Sequence, residues 1–325
     1  MKDKILVTAR SFRKTPGPHQ TMLTDAGYEV VHNPHDRPLE AAELAEMGRD
    51  VVGMLLGVDT VTAEVFEQAR DLKAISRYGV GIDMIDMKAA TAHGVVVTTT
   101  PGANSVTVAE LTIGLMFALA RRIPQHDRVV KQGKWSRVSG IELTGLTLGL
   151  LGLGRIGQEV ARRAVGLGMH IVFYDPVPPS DDVVSAFGAK CRSVEEVIAE
   201  SDVLSLHLPL NESTRNLIDG ARLSQMKPGA VLINTARGGL VDERALYEAL
   251  AAGKLAGAAC DVFATEPPGD NPLLSLDQFV ATPHLGSDTV QTVLRMGTMA
   301  AENLLAVLRG ERPASVANPE VYDRL

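Results

Sequence analysis

The chain has 325 residues, 45% of them hydrophobic and 22% charged, with a formal net charge of −7, which fits a folded protein of about two domains. The acidic balance argues against a nucleic-acid partner, no apolar run reaches the roughly 18 residues of a membrane span, and MKDKILVTAR enters a strand at once, so no signal peptide is expected. Cys191 and Cys260 form neither a disulfide framework nor a metal-ligand spacing, so a reduced, cytoplasmic protein without a metal is expected.

Lys4–Thr8 (KILVT) reads as a strand, the basic stretch Arg10–Lys14 as a loop, Thr21–Ala26 as a helix ended by Gly27, and Tyr28–His32 as a second strand. Leu39–Met47 and Ala63–Ala69 read as helices, and Val51–Leu56, Leu72–Ser76 and Val95–Thr99 as further strands. Strands alternating with helices imply βαβ units and a parallel sheet. After Pro101-Gly102, Thr107-x-x-Glu110 has the form of a capping box, with Asn104 or Ser105 as alternative caps. The helix it opens runs to Arg121 and is apolar nearly all round, which predicts burial.

A second α/β series begins at Leu143–Gly157, an apolar β-prone run that leads into Gly152-Leu153-Gly154-Arg155-Ile156-Gly157 and then a helix over Gln158–Leu167. Strands follow at His170–Tyr174, Val203–Leu208, Ala230–Asn234, Leu255–Asp261 and Phe279–Thr282, with helices at Val194–Ala199, Asp219–Met226 and Glu243–Ala252. The last helix, Val290–Arg309, is expected to cross back onto the first domain.

The glycine pattern sits between a strand and a helix, the setting that gives G-x-G-x-x-G its meaning. Gly152 allows a tight turn, Gly154 a close approach by a diphosphate, and Gly157 close packing of helix on strand, with the helix-start amides facing the phosphates. Asp175 ends the next strand, near the expected spacing for a carboxylate on the adenosine ribose hydroxyls. A carboxylate there repels a 2′-phosphate, so NAD is favoured over NADP.

Ligands of open parallel sheets bind beyond the carboxyl ends of the strands. Those ends carry Asp175, His207, Arg237, Asp261 and His284 in the second series, and Arg10 and Arg77–Gly81 in the first. A crevice lined by them holds a cation for a carboxylate and an imidazole for a carbonyl proton. His19, His32, His35, His93 and His126 read as solvated, and His170 starts its strand at the wrong end of the sheet. His207 precedes Leu-Pro and reads as lining the cofactor channel, while His284, between Pro283 and Gly286, is the favoured acid–base. The glycines after Arg237 suggest a backbone approached by a ligand. Glu266, in Ala-Thr-Glu-Pro-Pro, reads either as an ordinary loop acid or as a carboxylate that orients an imidazole and raises its pKa.

Taken together, Gly152–Gly157 with Asp175, NTARGGLVDE (234–243), DVFATEP (261–267) and TPHLG (282–286) resemble the D-isomer-specific 2-hydroxyacid dehydrogenases. RYGVGID (77–83) and TPGANS (100–105) look most like the phosphoglycerate dehydrogenase branch. The resemblance implies an α/β fold of two doubly wound parallel-sheet domains. A Rossmann NAD-binding domain, residues 100–289, is inserted in a flavodoxin-like substrate domain, residues 1–99 completed by 290–325. It implies an NAD-dependent oxidoreductase for a small D-2-hydroxy acid, 3-phosphoglycerate being one candidate and glyoxylate or hydroxypyruvate reduction the nearest alternative. A non-catalytic NAD sensor is the rival of another class.

The same resemblance gives Arg237 the substrate carboxylate, His284 the proton, and Glu266 the histidine. It gives the cofactor Gly152, Gly154, Arg155, Ile156, Gly157, Asp175, His207, Thr214, Ala236 and Asp261, the last near the nicotinamide carboxamide. Arg77, Gly79, Val80, Gly81 and Asn104 are given to the substrate. A homodimer through the cofactor domain, built partly by the helix after Asn104, is expected, and the role of Trp135 is left open. Two features depart from the phosphoglycerate branch. The loop Leu56–Thr60 has an acid and no arginine, leaving Arg10, Arg13 or Lys14 to meet a phosphate, and no regulatory serine-binding domain is expected.

Overall fold

A computed structural model describes residues 2–324. The chain divides into two compact units, residues 1–104 with 287–325 and residues 105–286.

The first unit holds a parallel sheet of β1 (Lys4–Val7), β2 (Glu29–His32), β3 (Val51–Leu56), β4 (Ala74–Arg77) and β5 (Val96–Thr98), in the order β2-β1-β3-β4-β5. The central strand β3 is buried throughout, as expected of a parallel sheet covered on both faces. The last long helix, Val290–Leu308, covers one face. Gly53 has no side chain because a Cβ there would stand 3.1 Å from Leu304 Cδ1. The tail beyond this helix closes the free edge of β5, where Asn318 accepts from Val97 N (2.8 Å) and donates to Val95 O (2.9 Å). An edge so covered offers no unpaired ladder.

The second unit holds β6 (Thr147–Leu151), β7 (His170–Tyr174), β8 (Lys190–Cys191), β9 (Val203–Leu206), β10 (Val231–Asn234), β11 (Gly257–Cys260) and β12 (Phe279–Ala281). The order is β12-β11-β10-β9-β6-β7-β8, all parallel. Chain direction across the sheet reverses between β6 and β9, the position where doubly wound sheets bind ligands. Two apolar clusters cover its faces, one around Leu150, Phe173 and Met116, the other around Leu204, Leu232 and Leu246.

Several local expectations change. Arg10–Lys14 is a short helix, not a loop, because Phe12 at its centre is buried. Helix Ser105–Ala120 already includes Thr107, so Thr107 lies in its first turn rather than capping it. The run from Leu143 turns at Gly145 (φ 79°) before the strand starts at Thr147. Helices Met87–Ala92 and Asp181–Ala186 and the two-residue β8 are too short to announce themselves, and the helix Ile123–Lys131 is a further element not expected from the sequence. His19, expected in solvent, is fully buried, its Nε2 2.9 Å from Phe12 O. It fits because Gly297 presents no side chain; a Cβ there would lie 2.7 Å from the ring.

Candidate functional site

The glycine turn follows β6 directly. Gly152 has φ 105°, and a Cβ on it would stand 2.7 Å from His207 C and O, so only glycine passes here. Gly157 faces Gly152 O at 2.3 Å from its would-be Cβ, whereas Gly154 opens onto free space. Helix Arg155–Gly166 takes Gly154 as its N-cap, with no side chain to occupy the first amides. An open glycine before uncapped helical amides suits a diphosphate. Arg155 is exposed there and Ile156 half-buried. Asp175, just past β7, accepts from Leu153 N (2.7 Å) and Val177 N (2.9 Å), which fixes it beside the turn. These residues fit a dinucleotide.

His207, after β9, bonds Ser205 Oγ through Nε2 at 2.9 Å. Burial pushes its imidazole pKa down to about 4. Thr214 lies in a separate turn, donating to Pro209 O (2.7 Å) and accepting from Asn211 N (2.8 Å). Ala236 donates its N–H to Asn234 Oδ1 (3.1 Å), and Asn234 Nδ2 donates to Arg237 O (2.8 Å). Asn234 therefore shapes the turn carrying Arg237. Its signal was a polar residue ending a buried strand.

At the ends of β11 and β12 a linked group forms. His284 Nδ1 stands 2.7 Å from Glu266 Oε2, and Glu266 Oε1 accepts from Phe263 N at 3.0 Å. Burial raises the Glu266 pKa, but the bond and charge of His284, the Phe263 amide and the charge of Arg237 outweigh it and leave it lowered. Glu243 holds the same loop by accepting from Ala264 N and Asn271 Nδ2, each at 2.6 Å. His284 itself has φ 53°, a left-handed position unusual for a non-glycine residue.

Asp261 explains how that position is held. It is 1% exposed and accepts from Thr282 Oγ1 (2.6 Å), Leu285 N (2.9 Å) and Gly286 N (2.8 Å). Its carbonyl accepts from His284 N at 2.8 Å. In this structure Asp261 organises the histidine's loop, a task the sequence did not disclose. Gly238 likewise differs from expectation: a Cβ on it would lie 1.9 Å from Phe263 C. The glycine admits the neighbouring Phe263 backbone.

In the first unit, Arg77 ends β4 and donates through Nε to Gly81 O (3.0 Å) and through Nη1 to Tyr78 O. The guanidinium thus shapes the Gly79–Gly81 loop, whose Gly79 has φ 141° and whose Val80 is exposed. Asn104 is 9% exposed, with Oδ1 buried and no hydrogen-bond partner, a cost a bound donor removes. Arg10, Arg13 and Lys14 turn elsewhere. Arg10 donates to Asp36 O (2.9 Å), Arg13 to Asn33 O (2.9 Å), and Lys14 to the Asp36 carboxylate (2.8 Å). Among the described residues, no three histidine, cysteine or acidic side chains gather as a metal site, and no helix is long and apolar enough to cross a membrane.

Residues 113–286 match the model of the D-isomer specific 2-hydroxyacid dehydrogenase NAD binding domain, which makes NAD the cofactor of the second unit. The chain is 47% identical to a D-3-phosphoglycerate dehydrogenase of Methanocaldococcus jannaschii over 86% of its own length and 54% of the relative's. It thus spans about half the length of that protein. It is 45% identical to a glyoxylate reductase of Korarchaeum cryptofilum over 81% of each chain. A solved D-lactate dehydrogenase of Aquifex aeolicus, complexed with NAD and lactic acid, superposes with a TM-score of 0.85 at 30% identity, covering 97% of this chain and 99% of its own. The glycine turn with Asp175, the His284–Glu266 pair and these likenesses agree: the chain belongs to the D-isomer specific 2-hydroxyacid dehydrogenase family.

Proposed function

We propose that the protein is an NAD-dependent oxidoreductase that interconverts a small D-2-hydroxy acid and its 2-oxo acid. The observation that carries this reading is the 2.7 Å pair of His284 and Glu266. With Nδ1 engaged by Glu266, His284 has Nε2 to give a proton to the carbonyl oxygen on reduction and take it back on oxidation. Glu266, its pKa lowered in part by the His284 bond, keeps the ring oriented. Arg237, whose charge reaches Glu266, binds the substrate carboxylate and polarises its carbonyl.

NAD, when bound, supplies or accepts the hydride. Gly152, Gly154, Arg155, Ile156 and Gly157 take its diphosphate and Asp175 its ribose hydroxyls, with His207, Thr214, Ala236 and Asp261 around the remainder. Residues 1–104 and 287–325 form the substrate domain, where Arg77, Gly79, Val80, Gly81 and Asn104 contact the acid. The substrate is a phosphorylated three-carbon acid or a small unphosphorylated 2-oxo acid such as glyoxylate or hydroxypyruvate. NADH oxidation with a panel of 2-oxo acids tests the reading. Turnover of at least one of them is expected; NADH binding without any turnover overturns it in favour of an NAD sensor.

The protein is proposed to be a cytoplasmic homodimer. Both cysteines are free, as a reducing compartment keeps them. Helix Ile123–Lys131 has no buried residue, and Phe117, Ile123, Val130, Trp135, Val138 and Ile141 are exposed on the same unit. Apolar side chains so concentrated mark an association surface. Sedimentation should give a dimer and Ile123→Glu a monomer. A monomeric wild type refutes the assignment.

A further inference from the structure

The loop after β3 carries an acid whose place in the fold bears on substrate choice. Asp59 is 3% exposed. Its Oδ1 accepts from Leu39 N (2.8 Å), and its Oδ2 accepts from Gly57 N (3.1 Å) and from the Thr8 hydroxyl. Thr8 Oγ1 in turn accepts from Gly57 N at 3.0 Å. Two backbone amides and a hydroxyl converging on one acceptor are the donor set with which a fold holds an oxyanion. Here the acceptor belongs to the chain.

The location matters as much as the donors. Thr8 follows β1 and Gly57 follows β3, and the order β2-β1-β3-β4-β5 reverses direction between those two strands. That is the switch point of the sheet, where ligands of such folds sit beyond the strand ends. Leu56, the last residue of β3, lies in register with Arg77. The Asp59 loop therefore stands beside the Arg77–Gly81 loop assigned to the substrate. The basic groups that could answer a phosphate are tied to the loop after β2 through Asn33 and Asp36.

We propose that Asp59 is a specificity-determining residue. It fills the anion cradle at the β1/β3 switch point with an internal carboxyl group, so the enzyme takes 2-oxo acids whose far end is small and unphosphorylated. A terminal phosphate arriving there finds those donors already taken. This inference rests on the dehydrogenase function proposed above, and it selects the glyoxylate or hydroxypyruvate class over the phosphorylated one.

Hydroxypyruvate and phosphohydroxypyruvate share a carbon skeleton and differ by the phosphate, so their kcat/KM ratio isolates the effect. The wild type should favour hydroxypyruvate at least tenfold. Asp59→Ala, which empties the cradle, should move the ratio at least tenfold toward the phosphorylated compound, and the isosteric Asp59→Asn, which still fills it, should move the ratio less. A purely structural role would depress both substrates alike. A wild type that prefers phosphohydroxypyruvate, or folded variants with an unmoved ratio, overturns the proposal. Titration with inorganic phosphate gives a readout independent of turnover: Asp59→Ala should take up phosphate at millimolar concentration and the wild type should not. If the wild type turns over neither substrate, the dehydrogenase reading fails, and the titration alone decides the part of Asp59. Uptake by the variant only supports the filled cradle, and uptake by both proteins or by neither rejects it.

Discussion

Replacing His284 by alanine should lower kcat/KM for 2-oxo acid reduction by roughly 10²–10⁴-fold, the range over which a positioned general acid contributes, and leave NADH binding intact. The reason lies in separate supports. The glycine turn and Asp175 are held by Tyr174 O, Leu153 N and Val177 N, none of which involves His284. The histidine is held by Glu266 at 2.7 Å and by the carbonyl of Asp261. Because its φ is 53°, His284→Asn is the better-tolerated companion variant, asparagine being at ease in the left-handed region. It should lose turnover to the same extent. Glu266→Gln should cost less, since an amide oxygen still accepts from Nδ1–H. The acid side of the pH profile follows from the lowered Glu266 pKa. The carboxylate is present above that value, so the acid-side loss of activity through Glu266 should come at lower pH than an ordinary glutamate gives. Steady-state rates and NADH fluorescence titration check both points. Turnover within tenfold of wild type in His284→Ala removes the acid–base assignment.

What the sequence disclosed depended on how local the physics was. A glycine turn with its strand and helix is written in consecutive residues, and Gly152 and Gly157 answer steric demands made within the motif or by the residue after the neighbouring strand. Buried parallel strands such as Val51–Leu56 and His170–Tyr174 likewise read as apolar runs. The expectations that failed involve partners distant in sequence. Nothing near Gly238 shows that the Phe263 backbone lies against it, and nothing near His19 shows that Gly297 vacates its berth. Arg10–Lys14 looks like a solvated basic loop until Phe12 is seen to need burial. Asp59 was visible as an acid in an unexpected loop, but its donors Thr8 and Leu39 come from other elements. Residue type and strand-end position therefore located the chemistry, while the residues that aim it became apparent only in three dimensions.

Asp261 is the strongest case of such aiming, and Asp261→Ala should destabilise the protein by about 2–5 kcal/mol. The side chain is 1% exposed and accepts three hydrogen bonds. Its removal strands two backbone amides, each costing about 1–3 kcal/mol when left unpaired in the interior, and frees the Thr282 hydroxyl to rotate. For a protein of this size the loss corresponds to a fall in Tm of roughly 3–7 °C. The catalytic consequence follows from geometry. Leu285 N and Gly286 N are the two amides immediately after His284, and their bonds to Asp261 hold the chain in the turn that gives His284 its positive φ. Released, the loop relaxes toward ordinary backbone, and the imidazole leaves its 2.7 Å contact with Glu266. Turnover should therefore fall well below what the stability loss alone produces at a temperature where the variant remains folded. Asp261→Asn separates the two effects: it keeps the volume and one acceptor but turns an N–H donor against one of the facing donors. It should fall between wild type and alanine in both Tm and kcat. Thermal unfolding followed by circular dichroism, with rates taken at least 15 °C below each midpoint (an order-of-magnitude margin), makes the comparison. An Asp261→Ala protein with Tm within about 2 °C of wild type and unchanged kcat contradicts the assignment, since the loop would then hold His284 without the carboxylate.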